Sequence, residues 1–158
     1  MNIGIVGAGQ DKFVPETEAR ARSLIRQLLA DPDAVLVSGH SPVGGIDIWA
    51  EEIADELGRE KHIYAPKVDQ WNPPGQYGYK ARNLDIAEDS DVVHVIVVKD
   101  YPPGYMGQRF ELCYHCARTR PEHAKDHKKS GGCYTAIKAM EMPQTDGRPR
   151  RQAVWHVL

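Results

Sequence analysis

Three cysteines and three histidines lie in one short part of the chain, and four of these residues have the spacing of a metal site. Two cysteines form a C-x2-C pair, ten residues separate it from a histidine, and five more precede the third cysteine. Three thiolates and one imidazole are a tetrahedral set typical of structural zinc. The region is polar and basic, so a metal would supply stability that few apolar side chains can provide. The predicted ligands are Cys113, Cys116, His127 and Cys133, with His123 as the alternative histidine and Ser130-Gly131-Gly132 as the turn that places Cys133.

Glycine-bearing segments follow three apolar runs that are typical of buried strands. Glycine allows positive φ and lets another molecule approach the backbone closely. Where such a bend opens a helix, unpaired N–H groups and the positive end of the helix dipole favour an anion, most often phosphate. Asp47 would cap those donors or bind a sugar hydroxyl. The candidate ligand contacts in these bends are Gly7, Ala8, Gly9, Ser38, Gly39, Gly44, Gly45, Asp47, Gly104 and Gly107.

Strands and helices alternate along the chain, which predicts right-handed β-α-β units and a parallel sheet. We therefore expect a Rossmann-like α/β three-layer sandwich with a mostly parallel sheet of about five strands. The carboxyl ends of parallel strands share one edge, so the glycine bends would meet there. The predicted strands are 2–6, 34–37, 62–65, 91–98 and an edge strand at 152–158, and the predicted helices are 15–30, 46–57, 79–89 and 133–140.

Composition limits the functional classes. A chain of 158 residues with 41% hydrophobic and 27% charged residues suggests one globular unit with a real core. The net charge of -2 argues against a general nucleic-acid binder or a membrane-surface protein. The amino terminus lacks the pattern of a signal peptide, and no apolar run would span a bilayer. We expect a cytoplasmic homo-oligomer without structural disulfides.

Three segments resemble the SLOG superfamily, which joins the Lonely Guy phosphoribohydrolases with the Rossmann domain of DNA-processing protein A. Ser38-Gly39 through Gly45-Ile46-Asp47, followed by Ala50, is similar to its second strand-helix junction. Arg82-Asn83, ahead of Ser90-Asp91, resembles the Arg-Lys segment of the Lonely Guy enzymes. Residues 103–111, from Pro103 to Glu111, resemble their Pro-Gly-Gly-x-Gly-Thr-x-x-Glu motif. The resemblance covers roughly residues 1–111.

The resemblance implies a nucleotide site and an N-glycosidic reaction. In that family the arginine and the glutamate act at the N-glycosidic bond of a nucleoside monophosphate, and they fall here on Arg82 and Glu111. Asn83 would contact the ligand beside Arg82. Tyr105 and Gln108 stand where the motif has glycine and threonine, so the phosphate cradle is expected to be narrower or differently shaped.

The sequence thus predicts a nucleotide-binding unit at 1–111 and a zinc-stabilised C-terminal extension at 112–158, packed on the same domain. The expected function is binding of a nucleotide or nucleotide-sugar phosphate, with hydrolysis of an N-glycosidic bond as a further expectation. One alternative is a non-catalytic sensor of a nucleotide or NAD derivative. Another is a DNA-associated protein, in which Arg148, Arg150 and Arg151 would add to a basic patch on the zinc loop.

Overall fold

The computed structural model describes residues 1–110, 130–145 and 147–158, and its strands form one parallel sheet in the order β3-β2-β1-β4-β5. Every neighbouring pair of strands is parallel, which confirms the predicted Rossmann-like α/β class. The described strands are β1 (Asn2–Gly7), β2 (Val35–Ser38), β3 (Glu60–Ile63), β4 (Val92–Val97) and β5 (Gln152–Val157). The described helices are α1 (Pro15–Leu28), α2 (Ile46–Glu56), α3 (Tyr79–Asp89) and α4 (Gly131–Glu141), with a 3-10 turn at Gln10–Lys12.

Helices cover both faces of the sheet and so form the three layers. The apolar sides of α1 and α2 share one face, around the fully buried Ile25 and Ile53. The apolar sides of α3 and α4 share the other face, around the equally buried Ile86 and Ala136. Burying one large aliphatic side chain contributes about 1.5–3 kcal/mol. These two apolar layers therefore hold the helices in fixed positions on the two faces of the sheet.

β1 lies in the middle of the sheet, and the strand order reverses beside it. β2 and β3 add on one side of β1, whereas β4 and β5 add on the other. Parallel sheets bind ligands at such a reversal, beyond the carboxyl ends of the strands. Gly7 ends β1 there: the N–H of Ala8 donates to the Ile96 carbonyl at 3.0 Å, and a Cβ on Gly7 would collide with that oxygen. Gly7 therefore lets the bend pass close to β4.

The third strand is displaced from its predicted position. We predicted a strand at residues 62–65, but β3 runs from Glu60 to Ile63. Its register with β2 pairs Val35 with Glu60 and Ser38 with Ile63, so pairing begins two residues before the apolar run. β3 is an edge strand, where polar side chains face solvent at little cost. The prediction of α3 at 79–89 is confirmed.

The last described segments belong to the same sheet and helix layers. β5 pairs with β4 at the edge, as predicted, from Val92 opposite Gln152 onward. α4 packs against α3 and begins at Gly131, two residues before its predicted start. Elements on both sides of residue 111 thus complete one sandwich. Within the described ranges no helix has the length and apolar character needed to cross a membrane.

Candidate functional site

A cavity of about 190 Å³ lies beyond the carboxyl ends of β1 and β4, where the strand order reverses. We call it the cleft. It brings together residues from the first glycine bend, the starts of α2 and α3, and the start of α4. Of the residues singled out in the sequence, the ones that line it are Gly7, Ala8, Gly9, Asp47, Arg82 and Asn83. The predicted meeting of distant segments at this edge is thus observed for six of those residues.

Arg82 lies in the first turn of α3 and is only 7% exposed. Its Nη1 donates to the carbonyl oxygen of Gly39 and lies 3.5 Å from Asp47 Oδ2. A Cβ on Gly39 would overlap the guanidinium, so Gly39 makes room for Arg82. The guanidinium also covers the ring of Tyr79, at 5.3 Å from its centroid. Its buried Nε has no hydrogen-bond partner among the described residues.

Asp47 is the buried carboxyl group of the cleft, at 6% exposure. Burial raises the pKa of Asp47 to about 6, because the charged form loses its hydration. The positive charge of Arg82 and a hydrogen bond from the Ser41 backbone oppose that rise in pKa, and Glu51 adds to it. Asp47 therefore exchanges a proton near neutral pH while it faces Arg82.

The start of α4 lines the cleft opposite α2. Ser130 is its N-cap, and the Ser130 hydroxyl accepts the Cys133 N–H at 3.1 Å. The N–H groups of Gly131 and Gly132, in the first turn, have no acceptor within the helix. A Cβ on Gly132 would lie 3.2 Å from Val95 Cγ1, so α4 begins directly against the sheet. This segment was predicted as a metal-site turn, whereas the structure places it as a helix start at the cleft.

Asn83 lies beside the α4 start. It is 3% exposed, and its buried Nδ2 has no hydrogen-bond partner in the part of the chain described. That nitrogen is 3.3 Å from the position of a Cβ on Gly131. Buried donors without partners are rare in folded proteins, because each costs roughly 1–3 kcal/mol. Among the described residues, Arg82 and Asn83 each carry such a donor, and both residues line the cleft.

The bend after β2 packs against the protein itself. Gly45 has φ +84°, and a Cβ there would meet the backbone of residues 8–10. The N–H of Ile46, the first residue of α2, donates to the Ala8 carbonyl at 3.2 Å. Gly44 contacts the Gln10 side chain, and Ser38 donates to Glu51 at 2.7 Å. These glycines admit a neighbouring loop of the same chain, so Ser38, Gly39, Gly44 and Gly45 do not line the cleft.

The segment after β4 contributes aromatic rings instead of glycines. Gly104 has φ +78° with open space around its α-carbon, and Gly107 lies against the Tyr105 ring; neither lines the cleft. Tyr101 and Phe110 do line it. Glu111, the predicted catalytic carboxylate, lies outside the described residues.

Several cleft residues were missed in the sequence. Lys12 lines the cleft, with Nζ at 5.6 Å from the Tyr105 ring and 5.9 Å from the Phe110 ring. A lysine three residues after Gly9 was a usable signal, because cations often follow phosphate-binding bends. Ser130, Gly131 and Gly132 had been singled out only as a metal-site turn, and the missed residues include Ser41, Val43, Tyr101, Phe110 and Thr135.

The predicted zinc ligands fall mostly outside the described residues. Cys113, Cys116, His127 and the alternative His123 are among them. Cys133 is described: it is 1% exposed and lies in the first turn of α4. The described ranges alone hold no group of three or more metal-ligating side chains. The zinc site stays a prediction.

Fold and cleft together define a Rossmann-like α/β protein with a buried, donor-rich cavity at its strand-order reversal. Comparisons of the chain with protein-family models, with curated proteins and with solved structures gave no match. The resemblance to the SLOG superfamily therefore stays a prediction.

Proposed function

We propose that the protein binds a phosphorylated small molecule, a nucleotide, in the cleft, and that it does so in the cytoplasm. The observation that carries the proposal is a pair of buried donors, Arg82 Nε and Asn83 Nδ2, that have no partner among the described residues and belong to residues lining the cleft. A phosphate accepts from arginine, from an amide and from first-turn N–H groups at once. Such an anion would satisfy donors that have no other partner in the described chain.

The walls of the cleft suit the remainder of a nucleotide. Ile86, Val97 and the rings of Tyr101 and Phe110 provide apolar surface, as ligand pockets commonly do. Lys12 adds a cation on the aromatic side. A base would therefore lie towards Tyr101 and Phe110, with its phosphate towards Arg82 and α4.

Calorimetry with AMP, adenosine and inorganic phosphate tests this proposal. AMP is expected to bind to the full chain, and adenosine to bind at least about tenfold more weakly because it lacks the anion. Arg82→Lys should weaken AMP binding, since lysine keeps the charge but loses the fork of donors. Arg22→Lys is the matched control, because Arg22 forms ion pairs with Glu18 and Glu52 away from the cleft. Equal binding of AMP and adenosine, or no binding of AMP, would contradict the proposal.

Hydrolysis of an N-glycosidic bond is a second proposal, and Asp47 favours it. Cleavage of such a bond passes through an oxocarbenium-like state that a nearby carboxylate stabilises. Asp47 faces the cleft with a pKa of about 6, which suits proton transfer near neutral pH. Incubation with nucleoside monophosphates should release free base, and Glu111→Gln or Asp47→Asn should abolish release. AMP binding without release of base would favour the sensor alternative.

A DNA-associated role has weaker support. The patch proposed for it included Arg151, but Arg151 is 6% exposed and donates to backbone carbonyls, so its charge is not available on the surface. Binding of single-stranded DNA that weakens steeply with salt would favour this alternative.

We also propose that the chain binds a structural zinc ion and associates with itself. One zinc per chain is expected by elemental analysis of the purified protein, and Cys113→Ser should remove it. A protein without zinc would contradict the metal site. Light scattering tests the homo-oligomer, and a monomeric mass would contradict it.

A further inference from the structure

The two edge strands of the sheet differ in length and in charge. β3, at one edge, has four residues and carries Glu60 and Lys61. β5, at the other edge, has six residues and contains no Asp, Glu, Lys or Arg. Natural sheets protect their edges against pairing with another chain by short strands and by charged side chains. β3 has both protections, whereas β5 has neither of them.

β5 has a row of backbone groups that face no other strand in the described part of the chain. The N–H of Leu158, just after β5, donates to the Val97 carbonyl of β4 at 2.9 Å. Alternate residues of a strand point their N–H and C=O groups to the same neighbour, so the even-numbered residues of β5 bond β4. The N–H and C=O groups of Ala153, Trp155 and Val157 therefore point away from β4. They form a ladder edge that a further strand can pair with.

The side of β5 that faces α1 is only partly covered. Val154 is 38% exposed, and an open groove of about 380 Å³ separates the Arg20 and Leu24 part of α1 from His156. His156 Nε2 lies 2.9 Å from His94 Nδ1 of β4. Burial lowers the pKa of both imidazoles, so both are neutral at neutral pH. The side chains of β5 therefore place no charge along its open edge.

Resting on the proposed self-association, we infer that β5 pairs antiparallel with β5 of a second copy, so that two five-stranded sheets become one sheet of ten strands. The outward-pointing groups set the register. Trp155 forms a hydrogen-bonded pair with the partner's Trp155, and Ala153 forms one with the partner's Val157. Val154 then lies opposite the partner's His156, on the side of the sheet that faces α1.

A second copy fits this edge because the pairing is complementary to itself. The same donors and acceptors serve both copies across a two-fold axis at Trp155, which closes the assembly as a dimer. Pairs of aromatic and β-branched side chains stabilise neighbouring strands, and no like charges of the two β5 strands oppose each other. Pairing of β5 with β3 of another copy would instead leave an edge free at each end and produce an open filament.

Light scattering of the full chain and of two β5 variants tests the inference. Val154→Lys adds a charge at the edge, the means by which natural sheets block pairing. Ala153→Pro removes an outward N–H but no hydrogen bond to β4. The molar mass is expected to fall from that of two chains to that of one in each variant. Ile63→Lys is the matched control, because Ile63 is 39% exposed and lies on β3, the opposite edge; it should keep the wild-type mass.

The outcomes separate the interface from self-association itself. A monomeric wild type would overturn both. A dimer that persists in the β5 variants, or one that Ile63→Lys dissociates equally, would overturn β5 as the interface and leave self-association standing. Circular dichroism checks that each variant is folded, and Val154→Lys decides by itself if Ala153→Pro does not fold. AMP binding tests the nucleotide function separately, because no residue of the proposed hydrogen-bonded pairs lines the cleft.

Discussion

One buried arginine lies beyond the amino ends of the strands and another beyond their carboxyl ends, and the two differ in their hydrogen-bond partners. Arg151, just before β5, is 6% exposed, and Arg82, at the start of α3, is 7% exposed. All three guanidinium nitrogens of Arg151 donate to carbonyls, of Glu88, Ser90 and Pro143, at 2.6–3.1 Å. These carbonyls lie at or just beyond the ends of α3 and α4, where a cation is favoured.

Arg82 differs from Arg151 because one of its guanidinium donors has no acceptor among the described residues. Its Nη1 is held by Gly39 and Asp47, but its Nε has no partner among the described residues, and Arg82 as a residue lines the cleft. Burial alone therefore does not distinguish a structural arginine from a binding one. The distinction comes from counting donors against acceptors. All three guanidinium nitrogens of Arg151 find acceptors within the fold, whereas Arg82 Nε and Asn83 Nδ2 have none among the described residues.

Arg151→Ala is expected to have the largest effect of these substitutions, and the effect is on stability. It leaves several buried carbonyls without a donor, so the free energy of unfolding should fall by about 3–5 kcal/mol. Urea denaturation measures this. Arg150→Ala is the control, because Arg150 is exposed and, among the described residues, donates to the Met140 carbonyl alone. If the free energy of unfolding falls no more than in the control, the stability of the fold at the amino ends of the strands does not depend on Arg151.

Asp47→Asn should change how stability depends on pH. The pKa of Asp47 is raised from 3.8 to about 6 in the fold, so the folded state holds this proton more tightly than the unfolded state. The contribution of protonated Asp47 to the free energy of unfolding is fully present below pH 3.8 and is lost as the pH rises through about 6. The free energy of unfolding of the variant, relative to that of the wild type, should therefore rise by about 3 kcal/mol between acid and neutral pH. Parallel pH profiles of unfolding would contradict this.

Arg82→Lys should weaken AMP binding about tenfold, or about 1.4 kcal/mol, and lower stability by less. Lysine still compensates the buried Asp47 charge but cannot present Nε to the ligand. Calorimetry and urea denaturation on the same preparation separate the two effects. If stability falls and affinity does not, Arg82 is structural like Arg151.

Gly132→Ala should have the smallest effect. Its added Cβ would lie 3.2 Å from Val95 Cγ1 and 3.4 Å from Val6 Cγ2, so α4 must shift by a few tenths of an ångström. We expect AMP affinity to fall about threefold with little change in stability, because the shift moves first-turn N–H groups away from the phosphate. A substitution that leaves the affinity unchanged would place the phosphate elsewhere.

The sequence allowed most of the fold to be predicted, because the core elements have strong periodicity. α3 was predicted at its observed bounds, Tyr79 to Asp89. β3 was predicted at the wrong residues because an edge strand does not have to bury apolar side chains at regular positions. Arg151 carried no signal, since two of its acceptors, Glu88 and Ser90, lie some sixty residues earlier in the chain.

The site was harder to predict than the fold. Glycines indicate that something approaches the backbone closely, but not what approaches. At Gly45 it is the loop of residues 8–10, whereas Gly131 and Gly132 lie at the cleft beside the unpartnered donor of Asn83. Distinguishing these bends requires the tertiary arrangement, which local sequence does not contain.

A crystal structure of the full chain with AMP tests the central claim most directly. The account predicts phosphate oxygens within about 3 Å of Arg82 Nε, of Asn83 Nδ2 and of the Gly132 N–H. A phosphate bound away from Arg82, or a cleft that stays empty of nucleotide at saturating AMP, would contradict it.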